Sequence, residues 1–130
     1  MRVFETGATR SNDAGKIDYE AYLSPMVIEA FGRYMLKHEK QADGSRRSGD
    51  NWQKGIPKDE YLKSAWRHFW DWWALHRSVK LRGSTTMEDA ICALLFNAMG
   101  YLHEYLKSRH NDALSESFAQ AIQNLHQESS

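Results

Sequence analysis

The chain lacks several features on which common protein classes depend. Its single cysteine, Cys92, excludes an intrachain disulfide framework and a cysteine-based zinc cluster. Seventeen basic residues balance seventeen acidic ones, so no net charge attracts nucleic acid or an anionic membrane. No apolar run reaches the about 18 residues of a membrane span, and the N-terminus lacks the apolar core of a signal peptide. We therefore expect a cytoplasmic protein with no membrane partner, and we do not expect nucleic acid as its ligand.

Aromatic residues, in contrast, are plentiful for a chain of 130 residues, which is long enough for one domain with a real core. Four of the five tryptophans lie between Trp66 and Trp73, and the fifth, Trp52, lies in the polar loop before them. A small domain with this many large rings often shares some of them with another subunit. The composition therefore predicts a homo-oligomer.

Helical periodicity predicts an all-α fold of four helices that follow an irregular arm. Residues 1–24 carry turn formers and no helical periodicity, whereas Ser24-Pro25 is a typical helix start. The predicted helices run from Pro25 to about Gln41, from Pro57 or Asp59 to about Arg77, from about Thr85 to about Lys107, and onward from Asn111 or Asp112. We expect one domain with an arm (1–24), a helical core (25–110) and a C-terminal helix with a polar tail (111–130).

The second predicted helix has two different faces. One stripe has the i, i+3, i+4, i+7 spacing of a face that packs against a core, and it contains Leu62, Trp66, Phe69, Trp70 and Trp73. Roughly opposite lie Ser64, His68 and Asp71, so we expect this helix to be buried on two sides. Because unpaired polar groups are costly in a protein interior, the imidazole and the carboxylate need partners. Either a hydrogen-bond network or a metal and ligand site would provide them.

The third predicted helix also has two faces. Its apolar face contains Ile91, Leu94, Leu95, Ala98 and Leu102, and the other contains Asp89, Ala93, Asn97, Gly100 and Glu104. On this second face polar groups alternate with the smallest side chains, which lets a metal, a planar ligand or another backbone come close. A closely packed helix pair is the structural alternative. Thr85 and Glu88 have the spacing of a capping box, which gives Glu88 a structural role as its alternative.

Four residues of these two helices form a candidate metal site. His68 and Asp71 with Glu88 and Asp89 could bring one imidazole and three carboxylates into one space between helices. Hard cations favour oxygen ligands and bridge to phosphates, so this set suits Mg²⁺ or Mn²⁺ better than zinc. The competing interpretation is an ion pair between Arg67 and Asp71, with His68 bonded inside the core. The spacing leaves both interpretations open.

Four segments, taken together and in order, resemble a known family. They are ETGATRSNDAGKIDY, GDNWQKGIP, YLKSAWRHFWDWW and EDAICALLFNAMGYL. Across about residues 5–106 they resemble the phage and prophage dATP/dGTP diphosphohydrolase N-terminal family, which is related to the MazG-type all-α nucleotide pyrophosphohydrolases. The resemblance implies a MazG-like helical bundle, usually oligomeric. It also implies Mg²⁺-dependent hydrolysis of a purine (deoxy)nucleoside triphosphate, such as dGTP or dATP, to the monophosphate and pyrophosphate, by a phage-encoded protein in the host cytoplasm.

The resemblance also suggests roles for individual residues. The substrate-binding residues would be Arg10, Ser11, Lys16, Asn51, Trp52, Lys54, Arg67 and Asn97. In the same interpretation His68, Asp71 and Asp89 are catalytic, and His68, Asp71, Glu88 and Asp89 hold the Mg²⁺ or Mn²⁺. Trp52 would stack on the purine. The paired ExxE and ExxD motifs of MazG-type enzymes are not intact in this chain. The alternative function is a catalytically silent helical assembly protein.

Overall fold

The computed structural model describes residues 1–83 and 85–128 and is mostly helical. Its helices are α1 (Tyr19–Tyr22), α2 (Pro25–Glu39), α3 (Lys58–His76) and α4 (Met87–Glu128). In the arm, β1 (Arg2–Val3) pairs with β2 (Thr9–Arg10) as a small antiparallel hairpin that the sequence did not predict. The all-α expectation is thus confirmed apart from this hairpin. The last two residues of the predicted polar tail lie outside the described residues.

The C-terminal third of the protein is one helix of 42 residues, α4, where we expected two helices separated near Asn111. No glycine or proline occurs between Lys107 and Asp112 to end the helix, and Asn111 and Asp112 adopt helical conformation instead of capping a new one. Residues 107–128, which we call the stem, are exposed along their whole length. Within residues 1–83 and 85–128, no helix has the combination of length and apolarity needed to cross a membrane.

The structural core lies between α3 and α4, which form an antiparallel pair. The buried residues of these two helices are Tyr61, Ala74, Ala90, Cys92, Ala93, Asn97 and Gly100. The ring of Tyr61 lies against Gly100 so closely that a Cβ there would overlap it, and it packs edge-to-face on Phe96 at 5.9 Å. The alternating small and polar stripe of α4 is therefore the contact face of a closely packed helix pair.

The aromatic stripe of α3 faces outward, so the expectation that this helix is buried on two sides is wrong. Trp66 is 67% exposed and Trp70 is 54% exposed. The buried residues of α3 are Tyr61 and Ala74 instead, and Ala65 and His68 are partly buried. Because α4 presents small residues at the contact, it has room for the single ring of Tyr61 against Gly100 and not for a row of indoles. The apolar stripe of α4 is also largely open to solvent.

The starts of α2 and α4 are capped by hydroxyl side chains. Ser24 Oγ accepts a hydrogen bond from the Val27 amide at 3.4 Å, which confirms the predicted Ser-Pro start. At α4 the cap is Thr86, not Thr85, since Thr86 Oγ1 accepts from the Asp89 amide at 3.1 Å. The predicted capping box is therefore displaced by one residue, and the residue in its third helical position is Asp89.

The approach of Tyr61 to Gly100 yields a stability prediction. Gly100→Ala should lower the free energy of unfolding by about 1–3 kcal/mol, because the new methyl group collides with a buried ring. The matched control is Gly32→Ala in α2, where nothing lies within 4 Å of the added Cβ. That substitution should instead stabilise the protein by roughly 0.5–1 kcal/mol, through helix propensity. The free energy of unfolding of each variant is measured by urea unfolding followed by circular dichroism at one protein concentration. If Gly100→Ala and Gly32→Ala changed it equally, the packing of Tyr61 on Gly100 would be contradicted.

Candidate functional site

A pocket of about 180 Å³ lies where α2, the loop after it and α4 meet. We call it the Trp52 pocket. Its walls are Tyr34, Met35, His38 and Glu39 from α2, Arg47, Ser48, Gly49, Asn51, Trp52 and Ile56 from the loop, and Phe96 from α4. The end of α2 and the loop that follows it, together with the distant Phe96, thus supply aromatic, amide and cationic groups to one cavity.

The first half of the loop folds back onto the end of α2. The Arg47 amide donates to the Glu39 carbonyl at 2.8 Å, and the Gln41 amide donates to the Ser45 carbonyl at the same distance. Between them Gly44 adopts a φ of +86°, a left-handed conformation that favours glycine. Asp43 accepts from the hydroxyl and amide of Ser45, and these bonds lower the pKa of its carboxyl group. This tight turn brings Arg47 to the mouth of the pocket.

The second half of the loop contains a 3₁₀ turn, Asn51–Lys54, which carries two of the pocket residues. Gly55 ends the turn with a φ of +110°, a region that other residues rarely adopt. The indole of Trp52 lies edge-on to the imidazole of His103 in α4, with ring centroids 4.8 Å apart. This contact orients Trp52 so that it forms part of the pocket wall.

A second, apolar cavity of about 300 Å³ adjoins the Trp52 pocket. We call it the apolar cleft. It shares Met35, Trp52 and Phe96 with the Trp52 pocket, and Phe31, Met99, Gly100, Leu102, His103 and Leu106 line the rest. Trp52 therefore lines both a chamber of mixed polar and apolar character and an apolar one. A ligand with a planar ring and an anionic group matches this division.

The titratable groups around the pocket are shifted by burial and by neighbouring charges. Burial raises the pKa of Tyr34, and Asp89 raises it further. Burial also lowers the pKa of His38, with Lys37 and Arg47 acting in the same direction and Asp89 opposing them. The lowered pKa favours the neutral form of the His38 imidazole.

The predicted catalytic and metal residues do not gather in one place within a single chain. Asp89 forms an ion pair with Lys37 of α2 at 2.6 Å, Glu88 is exposed, and Asp71 lines a different small cavity beside the loop after α3. His68 is half-buried in α3, and burial lowers its pKa while Asp71 opposes the shift. In the part of the chain that the structure describes, no three His, Cys, Asp or Glu side chains lie close enough to hold a metal ion. The residues of one chain therefore do not fit the Mg²⁺ site implied by the resemblance.

The predicted substrate-binding residues divide into those that line the pocket and those that do not. Asn51 and Trp52 line it. Asn97 is buried and donates to the Ala93 carbonyl of its own helix at 2.7 Å, and Arg67 donates to Ser64 Oγ at 2.9 Å. The others are exposed and lie in the arm or at the end of the 3₁₀ turn: Arg10, Ser11, Lys16 and Lys54.

Sequence reasoning left several pocket residues out of the proposed site. Arg47 and His38 are two of them. Tyr34, Glu39 and Phe96 also line the pocket. One feature of the sequence points to this site: Arg47 lies five residues before Trp52 in the same polar loop. A loop that brings together a cation and an indole is a candidate for binding an aromatic anion.

No protein-family model, curated protein or solved structure matches this chain. The resemblance described above rests on the four sequence segments that carry it. The interpretation of the Trp52 pocket rests on the side chains that line it.

The two imidazoles with lowered pKa values give a prediction for stability against pH. The unfolded chain takes up protons near the ordinary histidine pKa of 6.5, whereas folded His38 and His68 resist protonation. The free energy of unfolding therefore carries no penalty from these two imidazoles above about pH 6.5, and it decreases as the pH falls below that value. His38→Gln and His68→Gln should each flatten the fall in unfolding free energy between about pH 7.5 and 5.5. His110→Gln, at an exposed position in the stem, is the control, and an unchanged slope in the first two variants would contradict the assignment.

Proposed function

We propose that this protein binds a purine nucleoside triphosphate in the Trp52 pocket and hydrolyses it to the monophosphate and pyrophosphate as a homo-oligomer. The observation that carries the proposal is the meeting of Trp52, Asn51 and Arg47 in one cavity. An indole offers a stacking surface, an amide offers a donor and an acceptor, and a guanidinium pairs with phosphate oxygens. These are the three kinds of group that a nucleotide requires.

In this proposal the base of the nucleotide stacks on the indole of Trp52. Stacking of a base on an aromatic side chain contributes about 1–3 kcal/mol. The Trp52 pocket alone is smaller than the roughly 300–1,000 Å³ of most ligand sites, but the adjoining apolar cleft extends it into that range. Asn51, next to Trp52 in the same turn, is positioned to read the polar edge of a base.

In this proposal the phosphates of the nucleotide lie near Arg47 and the backbone of residues 48–49. The Glu39 carboxylate also lies here, since a Cβ at Gly49 would be 3.2 Å from it, and its negative charge is paired with Arg46 at 3.9 Å. His38 lines the same chamber and is the candidate general base for the attacking water. Among residues 1–83 and 85–128, no group of side chains fits the Mg²⁺ that the resemblance implies, so the proposal relies on Arg47 for charge neutralisation at the phosphates.

Binding can be tested apart from turnover. Titration with dGTP or dATP should quench tryptophan fluorescence, and Trp52→Leu should remove most of this change. Arg47→Gln should weaken binding by about 10- to 100-fold, the loss expected for a charge-assisted contact of roughly 1.5–3 kcal/mol. Arg33→Gln is the matched control, because Arg33 is exposed on the same helix as His38 and pairs with Glu29. Equal affinities for the Arg47 and Arg33 variants would reject the pocket as the nucleotide site.

Turnover requires its own measurement. Each of the four deoxynucleoside triphosphates is incubated with the protein and Mg²⁺ or Mn²⁺, and the products are separated by ion-exchange chromatography. Purine substrates should yield monophosphate and pyrophosphate in equal amounts, and His38→Gln should slow the reaction by about 100-fold or more, the usual contribution of a general base. Intact substrate under every metal tried would overturn the hydrolytic part of the proposal, even if binding in the pocket is observed.

A second candidate function is favoured by a separate observation. The indoles of α3 lie on its surface, and Trp70 and Trp73 pack edge-to-face on each other in the open, with centroids 5.3 Å apart. Exposed patches of this kind mark interaction surfaces. A helical assembly protein without catalysis would oligomerise through them and neither bind nor cleave nucleotides in the two experiments above.

A further inference from the structure

The outward side of α3 combines indoles with positive charge in one row. Four exposed residues recur at i, i+4, i+7 and i+11 and therefore share one side of the helix: Trp66, Trp70, Trp73 and Arg77. Arg67 lies three positions before Trp70 on the same side, and its guanidinium bonds to a serine hydroxyl of its own helix, not to a carboxylate. We call this surface the outer face of α3. It offers flat rings and cations together.

The charge of this region is positive although the whole chain is neutral. Residues 61–83 contain five lysines and arginines and a single carboxylate, that of Asp71. Lys63 is paired with Glu60 at 3.9 Å. Among the described residues, no carboxylate lies within ion-pair distance of the other four cations, which are Arg67, Arg77, Lys80 and Arg82. A local excess of cations attracts phosphates at short range, which the net charge of the chain does not show.

The turn that ends α3 folds the basic segment back beside the outer face. Ser78 adopts a φ of +56°, a left-handed conformation that is uncommon for residues other than glycine. Its amide donates to the Leu75 carbonyl at 3.1 Å, and the Val79 amide donates to the Ala74 carbonyl at 2.8 Å. This pair of hydrogen bonds is a common way to end a helix. As a result, Val79 and Leu81 line a cavity together with the indoles.

Two surface cavities share the indole of Trp73. One, of about 320 Å³, is lined by Trp70, Trp73, Ala74, Arg77, Val79 and Leu81. The other, of about 250 Å³, is lined by the aromatic side chains of Phe69, Trp72, Trp73 and His76. Every nucleic-acid base has a flat face that stacks on an aromatic ring. Neighbouring cavities that share one indole therefore match consecutive bases of a strand.

We propose that the outer face of α3 and the basic turn after it bind single-stranded nucleic acid. Two consecutive bases stack in the cavities at Trp73, and Arg77, Lys80 and Arg82 contact the phosphates. The strand must be unpaired, because the bases of a duplex stack on one another and their faces are not free. This site shares no lining residue with the Trp52 pocket and does not depend on nucleotide binding or hydrolysis there.

The position of the cations favours this ligand over a membrane surface. A helix that lies in a membrane interface carries its lysines and arginines on the polar side, opposite the apolar one. Here Arg77 lies in the same row as the indoles and lines one of the two cavities. A cavity between rings and a guanidinium accommodates a flat base with its phosphate, whereas insertion into a bilayer would bury the charge.

Binding is measured by the fluorescence anisotropy of a labelled oligodeoxythymidylate of about 12 nucleotides, a length within the known site sizes of single-strand binders. We expect binding that weakens by about 20-fold between about 50 and 200 mM salt if three phosphates are contacted. Trp73→Leu should weaken it by about 5- to 100-fold through the loss of stacking. Tyr22→Leu, which removes a 74% exposed ring elsewhere, is the control. No binding at low salt, or equal affinities of the two variants, would overturn the proposal.

A second substitution does not disturb the packing of an indole. Arg77→Gln, at an exposed position, should weaken binding and reduce the slope of log affinity against log salt by about 0.7, the value for one phosphate contact on a single strand. Arg33→Gln is the control, since Arg33 is paired with Glu29 on α2. Equal salt slopes for the two arginine variants would reject the assignment of phosphates to the turn.

Three further measurements identify other occupants of the outer face. Displacement of the oligonucleotide by an equal concentration of free thymidine monophosphate would indicate a site for a mononucleotide. Binding to vesicles of phosphatidylcholine and phosphatidylserine that Trp73→Leu abolishes, without binding of the oligonucleotide, would indicate a membrane surface. A lower mass of Trp73→Leu in light scattering, again without oligonucleotide binding, would assign the face to a second copy of the chain. Each of these results rejects the proposal.

Discussion

The close approach of α3 and α4 at Tyr61 and Gly100 is the contact on which the rest of the structure depends. It requires a residue without a side chain on one helix and a fully buried ring on the other. The Tyr61 hydroxyl is buried without a hydrogen-bond partner in the described chain, and burial raises its pKa. Such a group lowers stability, so the ring is held by packing and not by its oxygen.

This helix pair supports the site but does not contain it. α2 packs on α4, and the Lys37–Asp89 ion pair links its last turns to the beginning of α4. The loop that follows α2 then returns over Phe96 with Trp52 and Arg47. The pocket is thus formed in part by a loop with little buried surface, where backbone hydrogen bonds in the turn near Ser45 fix the chain.

The sequence predicted those features that depend on local chemistry. Ser24-Pro25 is a strong local signal for a helix start, and α2 begins there. A tryptophan in a long polar loop is a candidate pocket residue, and Trp52 does line a pocket. The sequence prediction was wrong where either of two faces of one helix could have packed on the neighbouring helix. Periodicity located both faces of α3, but the small residues of α4 decided which of them is buried. It also could not show that Asp89 would pair with Lys37, because they are 52 positions apart.

The length of α4 has a mechanical consequence. One continuous helix carries both Phe96, in the wall of the pocket, and the stem. From Phe96 to the last turn is about 48 Å, so a tilt of about 5° at the pocket moves the far end by roughly 4 Å. If α4 moves as one rigid rod, a change in the shape of the cavity at Phe96 is therefore accompanied by a larger displacement of the stem.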